Sequence, residues 1–537
     1  WYWLDSEEGG AMAMDKLVDD NDDTYYVDGN GVMVRNTWVK VVNEDQDDED
    51  DPAEYNYYYM QSSGKAYKAG DSNSTKFKTI DGKRYAFDED GKMLYGWVDG
   101  NGARLTGEDD WATVNEDVYY CGNWDDGAMK TGWQKIYVHD EVEDDDMEHW
   151  FWFKSNGKRF YNDSDANVKE KTVNGKKYGF DERGVMTYTW TMATGTNPTD
   201  VSAWKYFNSP EDGARVTKGW FKVIAANEDN TFGNVIDSIG SKESPNTFDY
   251  GKADDESEKW YYADGDGNLK AGEVAKIKGK YYAFAPTGYM LNGLVFMSVN
   301  SDGEIVNLYD DGVDADELDD IMDGKADGCE DPDASLYYFG NDEDHDGAMK
   351  TGATTVTIDG DSYSFLFSKS GGAEGKGKGL TGIDNQKYIY KYGKKVKADS
   401  DDKYKVVTVV GAFDTGADIP GAAVIEHDSA DLRKEATNKY LNKDDETVRF
   451  ALYSEDGQSF LVNSAGNIIK NKTAAKDGND WYFFVDDKNI RMYANSKSLA
   501  PKIVDGVNQN GDLDLSDWKN FDYTKDEADV ARISDAQ

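Results

Sequence analysis

The chain is poor in the residues on which most enzymes and membrane proteins depend. Its 537 residues hold four histidines, at 139, 149, 345 and 427. No Gly-x-Ser-x-Gly elbow, Cys–His pairing or phosphate loop falls in a strand–turn–helix setting. No catalytic residue is expected, and the chain reads as a non-enzyme. Its two cysteines, Cys121 and Cys329, are too few and too far apart for a disulfide framework and read as unpaired thiols. No apolar run is long enough to cross a bilayer, and no export signal opens the sequence. A sustained apolar period of 3.6 residues is also missing, so helix should be scarce. Positive charge is outnumbered, 59 Lys+Arg against 106 Asp+Glu, for a net −47. Such a surface repels phosphate backbones and anionic lipid, which argues against nucleic acid and membrane insertion.

Aromatic residues, by contrast, are plentiful. Thirteen per cent of the chain is Phe, Trp or Tyr, with 36 Tyr and 15 Trp. Disordered acidic chains lack such residues, so the acidity decorates a folded framework. Residues 77–97 and 170–190 are near copies, and 275–294 is a third. Self-similarity of this kind means stacked copies of one small unit. The unit is an aromatic strand, a turn carrying Gly, and a second strand ending near Gly-Trp. Alternation of aromatic and polar residues about Asp/Asn-Gly turns predicts β-hairpins. Trp38 to Trp133 is 95 residues, Trp133 to Trp220 is 87 and Trp97 to Trp190 is 93. Each large period therefore spans three hairpins.

Acidic inserts at 43–54, 139–149 and about 226–258 read as solvated loop tips, with His139 and His149 exposed at the ends of one. The period weakens after residue 300. Residues 404–425 are Val-rich and suggest longer strands, and the last 35 or so residues read as a helical or frayed cap. The expected divisions are a repeat array at 1–383, divergent β-rich repeats at 384–496 and an acidic cap or tail at 497–537. The first residues, Trp1-Tyr2-Trp3-Leu4, already sit inside a repeat. They imply a longer precursor, with any export or anchoring signal upstream. The acidic turns 342–347, 264–268 and 508–514 are incomplete as calcium loops: Ala353 stands where an EF-hand glutamate belongs, and Gly506 at a first ligand position. No cofactor is expected, calcium at such turns being the one candidate.

The run Tyr119-Tyr120-Cys121, then Gly127-Ala128-Met129-Lys130-Thr131-Gly132-Trp133, resembles the cell-wall-binding repeat family. That family includes choline-binding modules of Gram-positive surface proteins, glucan-binding repeats and the repetitive domains of clostridial toxins. The resemblance covers residues 1–385 clearly and 440–495 weakly. It implies an all-β fold: an elongated β-hairpin solenoid of aromatic repeats with acidic loop inserts and a divergent C-terminal β-rich region. In choline-binding relatives the Trp after Gly and aromatics of an adjacent hairpin cage a quaternary ammonium, and in glucan-binding relatives the same rings stack on sugars. The matching positions are Trp38, Trp97, Trp133, Trp190 and Trp220, of which Trp133 and Trp220 are the leading candidates. Trp150, Trp152, Tyr57, Tyr58, Trp260 and Tyr261 supply the neighbouring rings. Thr37 and Thr189 replace the Gly, while Leu294 and Ala353 replace the Trp.

The expected role is a non-catalytic module, secreted or on the cell surface of a Gram-positive bacterium, that binds a cell-wall polymer or other glycan multivalently. A structural fibre whose copies join end to end, and the targeting domain of a glucan- or peptidoglycan-acting enzyme, are the alternatives.

Overall fold

In the computed structural model the described residues are 1–46, 51–70, 74–114, 116–141, 144–195, 197, 200–224, 258–340, 346–371, 375–410, 424–441, 443, 446, 448–450, 457–499, 503–504 and 507–508. Among the described residues strand far outweighs helix and no sheet closes into a barrel, so the all-β hairpin reading holds. The chain divides into two compact units: residues 1–258 with 262–269, and residues 259–261 with 270–537.

The first unit is a succession of two-stranded antiparallel hairpins. Thr37–Val42 pairs with Tyr55–Met60, Lys78–Ile80 with Lys83–Tyr85, and Trp97–Asp99 with Val118–Tyr120. Gly132–Asp140 then pairs with Asp145–Phe153, and Lys169–Val173 with Lys176–Phe180. The short hairpins close on Asp81-Gly82 and Asn174-Gly175, where both residues take positive φ, the geometry that matches strand twist.

A two-stranded hairpin is marginal alone, so the links between hairpins matter. After the second strand the chain makes a small turn, and in several of these an Asp side chain accepts from N–H groups further along, as Asp88 does from Lys92 and Asp181 from Val185. The residue leaving that turn donates its N–H to the second strand of the preceding hairpin. Ala66 bonds Thr24 at 2.7 Å, Met93 bonds Tyr57 at 2.8 Å and Met129 bonds Arg84 at 2.8 Å. Arg159 bonds Val118 at 2.7 Å, Met186 bonds Trp150 at 2.9 Å and Arg215 bonds Lys177 at 2.7 Å. These residues form a spine, and each spine side chain reaches the turn glycine of the next hairpin. A Cβ at Gly157 would sit 2.2 Å from the Met129 sulfur, whereas one at Gly82 would meet nothing within 4 Å. Both glycines have positive φ. Gly82→Ala is therefore expected to cost about 1 kcal/mol, the left-handed penalty alone. Gly157→Ala should cost about 2–3 kcal/mol, because overpacking adds to it. Urea unfolding of the two variants checks the difference.

Two expectations about the inserts change. The insert at 139–149 is not a loop. Gly132–Asp140 and Asp145–Phe153 run through it in continuous register, from Gly132 opposite Phe153 to Asp140 opposite Asp145. His149 is accordingly buried, its Nε2 lying 2.6 Å from the Asp140 carboxylate. Burial of one strand face overrides the polarity of the sequence. The insert at 226–258 falls almost wholly outside the described residues, as do the turn at 342–347 and most of 508–514.

In the second unit the hairpin Glu273–Ile277 with Lys280–Phe284 leads into wider sheets. Gly293–Val299 lies between Ile305–Asp310 and Ala334–Phe339. The helix Ala315–Asp323 packs Leu318, Ile321 and Met322 against Phe296, Leu336 and Phe365. A five-stranded and a seven-stranded sheet follow, the latter including Tyr404–Val410 and Gly457–Asn463. Leu294, which stands where the repeat would place Trp, is 3% exposed in this mixed aliphatic and aromatic core. A third strand and a helix supply the packing that indoles supply in the first unit.

Asp310, at the end of its strand, is raised to about 6 from an ordinary 3.8, first by burial and then by the neighbouring Glu317. The folded state thus holds a proton that the unfolded chain releases near pH 4. Between pH 4 and 6 this group makes stability fall as pH rises. Asp310→Asn should flatten that part of the curve, as urea midpoints at pH 4.5 and 6.5 would show.

Candidate functional site

Strand alternation decides which rings can reach solvent. Trp38 lies opposite Tyr59 across its hairpin, and Trp133 lies opposite Trp152. In the first place the Trp38 ring is 5.3 Å from Tyr59, 4.8 Å from Tyr85 and 5.9 Å from Phe87, at interplanar angles of 74°, 68° and 28°. In the second, Trp133 is 5.2 Å from Trp152, 4.8 Å from Tyr178 and 5.7 Å from Phe180, at 79°, 70° and 25°. The same four-ring arrangement is thus built twice, one three-hairpin period apart. Tyr85, Phe87, Tyr178 and Phe180 come from the following hairpin, so each cluster bridges two repeats.

Both clusters form clefts with half-buried rims. Trp38, Tyr57, Tyr59 and Tyr67 pack as partly buried rings on Tyr85, Phe87 and Met93. Trp133, Trp150, Trp152 and Tyr178 do so on Phe160, Phe180 and Met186. Trp150 adds a fifth ring, 6.1 Å from Trp133 and perpendicular to it. Edge-to-face packing holds these rings and leaves aromatic faces and edges to meet a ligand. Faces of this kind accept the C–H side of a sugar ring or a cation.

The other candidate rings are placed differently. Trp97 is 9% exposed and lies among Trp111, Tyr120, Phe151 and Phe153. Trp111, from the short turn Asp110–Ala112, donates its indole N–H to the His139 carbonyl and seals this position with the chain's own ring. Trp190 is 1% exposed, bonded through its N–H to the Ile224 carbonyl and packed edge-on to Tyr206. Tyr58 and Tyr261 are buried because they point to the opposite strand face from Tyr57 and Trp260. These four expected ligand-facing rings are therefore interior. Trp220 repeats the first pairing, 5.2 Å from Tyr262 at 75°, and both Trp220 and Trp260 are half-buried.

Thr189 takes the place of the Gly before Trp190 and keeps its backbone, with φ +57. A β-branched residue there is strained, and its hydroxyl is buried without a partner. Sequence reasoning did not pick out Trp111 or Trp124. Trp124 lies 6.4 Å from both Tyr55 and Tyr57. Trp111 sits outside the repeat grammar, and only its position in an otherwise polar stretch marks it.

Of the polar groups, Glu108, His139 and Asp146 bring ligand-type atoms within 4.8 Å of one another. The Asp146 hydrogen bond raises His139 above its ordinary range. Asp264, one of the suspected calcium ligands, spends its carboxylate on the N–H groups of Asp266 and Asn268. Cys121 is buried and unpaired, its thiol pushed up to about 12 by burial, which makes it inert. Cys329 is unpaired as well. Within the second unit a cleft of about 1050 Å³ is lined by Lys391, Lys394, Lys405, Glu426, His427 and Asp428 among others. Three of its lysines are engaged: Lys405 with Glu426 at 2.8 Å and Asp399 at 3.1 Å, Lys394 with Asp319 at 3.5 Å, and Lys391 with the Met322 carbonyl. No described helix is long and apolar enough to cross a membrane.

No family model matches the chain, and no curated protein does. Among solved structures it is similar to choline binding protein F from Streptococcus pneumoniae, at 16% identity over 78% of this chain and 99% of that one, with a TM-score of 0.33. CbpJ from Streptococcus pneumoniae TIGR4 matches at 18% identity over 71% and 99%, with a TM-score of 0.31. The modular autolysin LytC from Streptococcus pneumoniae matches at 14% over 73% and 54%, with a TM-score of 0.23. By name the first is a choline binding protein and the third an autolysin. At such identities and scores the likeness carries nothing about ligand or role.

Proposed function

We propose that this chain is an extracellular, non-catalytic module that binds a cell-wall polymer or other surface glycan through its aromatic clefts. The observation that carries this is the duplicated cleft, with ring distances at Trp38 and Trp133 agreeing to within 0.2 Å. Buried rings serve cohesion, but cohesion alone does not call for two half-open clusters with one geometry. A single cleft of this size binds weakly. Two or more on one chain raise retention on a repeating polymer by a factor of about 100 or more through effective concentration.

The test is retention of the purified chain on cell walls, starch, dextran and choline resin, with Trp38→Ala/Trp133→Ala as the comparison. Retention on at least one support, lost in the double variant, is expected. A folded chain that is held by none of the four sinks the reading.

A further inference from the structure

The second cleft carries a cationic edge that the first largely lacks. The ammonium groups of Lys154, Lys169 and Lys171 lie 5.8, 5.3 and 5.1 Å from the centre of the Phe160 ring. That of Lys171 is also 5.6 Å from the Trp152 ring. Acids outnumber bases by 47 in this chain, so three ammonium groups about one ring are unexpected. Lys169 is ion-paired with Asp163. Among the described residues Lys154 and Lys171 have no carboxylate partner. Glu170, which lies between Lys169 and Lys171 in sequence, turns to Arg215, Lys177 and Lys205 instead. Burial and the charge on Lys169 together push Lys154 below its ordinary range. Two half-buried ammonium groups without a carboxylate in contact therefore stand beside the Phe160 ring, that of Lys171 also near Trp152, with Asp117 and Asp163 acting on Lys154 only from a distance; an incoming anion would relieve this arrangement.

The first cleft provides the comparison. One three-hairpin period earlier, Tyr67 stands for Phe160, Lys78 for Lys171, Lys76 for Lys169 and Gln61 for Lys154. The Lys78 ammonium is 5.5 Å from the Tyr67 ring, and Gln61 brings no charge.

We propose that the cleft of Trp133, Trp152 and Phe160 takes an acidic glycan, with a sugar ring against the indoles and its carboxylate or phosphate against Lys154 and Lys171. The same two lysines disfavour a quaternary-ammonium ligand, because their ammonium groups beside the Phe160 ring repel a second cation. This assignment rests on the reading of the clefts as glycan sites, and names the glycan class for one of them.

The experiment titrates the full chain, followed by tryptophan fluorescence, with four probes: a tetragalacturonate, its fully methyl-esterified neutral form, a hexose-phosphate oligomer and choline. Circular dichroism verifies the fold of each variant. At low salt the uronate or the phosphate oligomer should bind at least tenfold tighter than the ester, and that advantage should shrink as salt rises. Whichever of the two anions binds identifies the source of the charge. Lys154→Met/Lys171→Met should bring the anion down to the affinity of the ester, and Trp152→Ala should weaken both. Equal binding of ester and anions, or choline tighter than either, overturns the acidic-glycan assignment while leaving the glycan reading in place. Silence of ester and anions alike, unaltered in Trp152→Ala, overturns the glycan reading itself and this assignment with it.

Discussion

Trp190→Ala is expected to lower the unfolding free energy by about 3–5 kcal/mol, and Trp133→Ala by only about 1–2 kcal/mol. Their effects on glycan retention should run the other way. Both indoles follow a left-handed residue at the start of a strand, Thr189 in one case and Gly132 in the other, and both are matched by sequence alone. Their surroundings differ. Trp190 is 1% exposed, with its N–H bonded to the Ile224 carbonyl and its ring against Tyr206. Removing it leaves a large cavity and an unpaired carbonyl. Trp133 is half-buried at the rim of a cleft, so solvent replaces much of what its ring occupied. Hairpin arrays distribute stability over neighbouring interfaces, and the loss at Trp190 should accordingly be felt locally. Urea unfolding followed by circular dichroism gives the first quantity, and retention on cell walls gives the second. A Trp190→Ala chain that keeps its stability but loses retention would reverse the assignment of structural and ligand-facing rings.

This contrast also shows how far the sequence could be read. Hairpins were legible because Asp81-Gly82 and Asn174-Gly175 demand a specific turn, and because aromatic residues alternate on either side of it. The three-hairpin period was legible from Trp spacing alone. Exposure was not, since it depends on what the next hairpin and its loops bring over each ring. Trp97 is closed by Trp111, a residue outside the repeat, and nothing in the Gly-Trp motif foretells that seal. The distinction between Tyr57 and Tyr58 needed only the strand register.

The helix Ala315–Asp323 left a signal that went unused. Asp314 and Glu317 form a capping box, and Gly324 ends the helix with φ +73. A nine-residue helix supplies only one repeat of its apolar spacing, so periodicity alone does not reveal it. The lysines about Phe160 were beyond sequence reasoning for another reason. Lys154 and Lys171 are 17 residues apart, and only the stacking of one hairpin on the next brings their charges to one ring.

Stacking of those two hairpins depends on a buried charge network, and breaking it should have the second large effect. Asp140 is 1% exposed and accepts from Arg183 at 2.6 Å while lying 2.6 Å from His149. Arg183 also pairs with Asp181 at 3.0 Å and lies 5.7 Å from the Trp111 ring. Burial alone would lower the Arg183 pKa, but Asp181 and Asp140 outweigh it and raise the value, so the guanidinium stays charged. Arg183 belongs to the turn after the hairpin that carries Tyr178 and Phe180, and Asp140 to the hairpin that carries Trp133 and Trp152. The pair therefore ties the two walls of the second cleft together. Arg183→Met should cost about 3–5 kcal/mol, because a carboxylate is left inside without its main counter-charge. Asp140→Asn/Arg183→Met should cost less than Arg183→Met alone, since the stranded charge is gone, and the shortfall measures the coupling. If the tie also sets the spacing of the cleft, the double variant should recover stability without recovering full ligand affinity. Equal stability of single and double variants would instead mean that water or His149 compensates Asp140, and that the hairpins are held in register by ring packing alone.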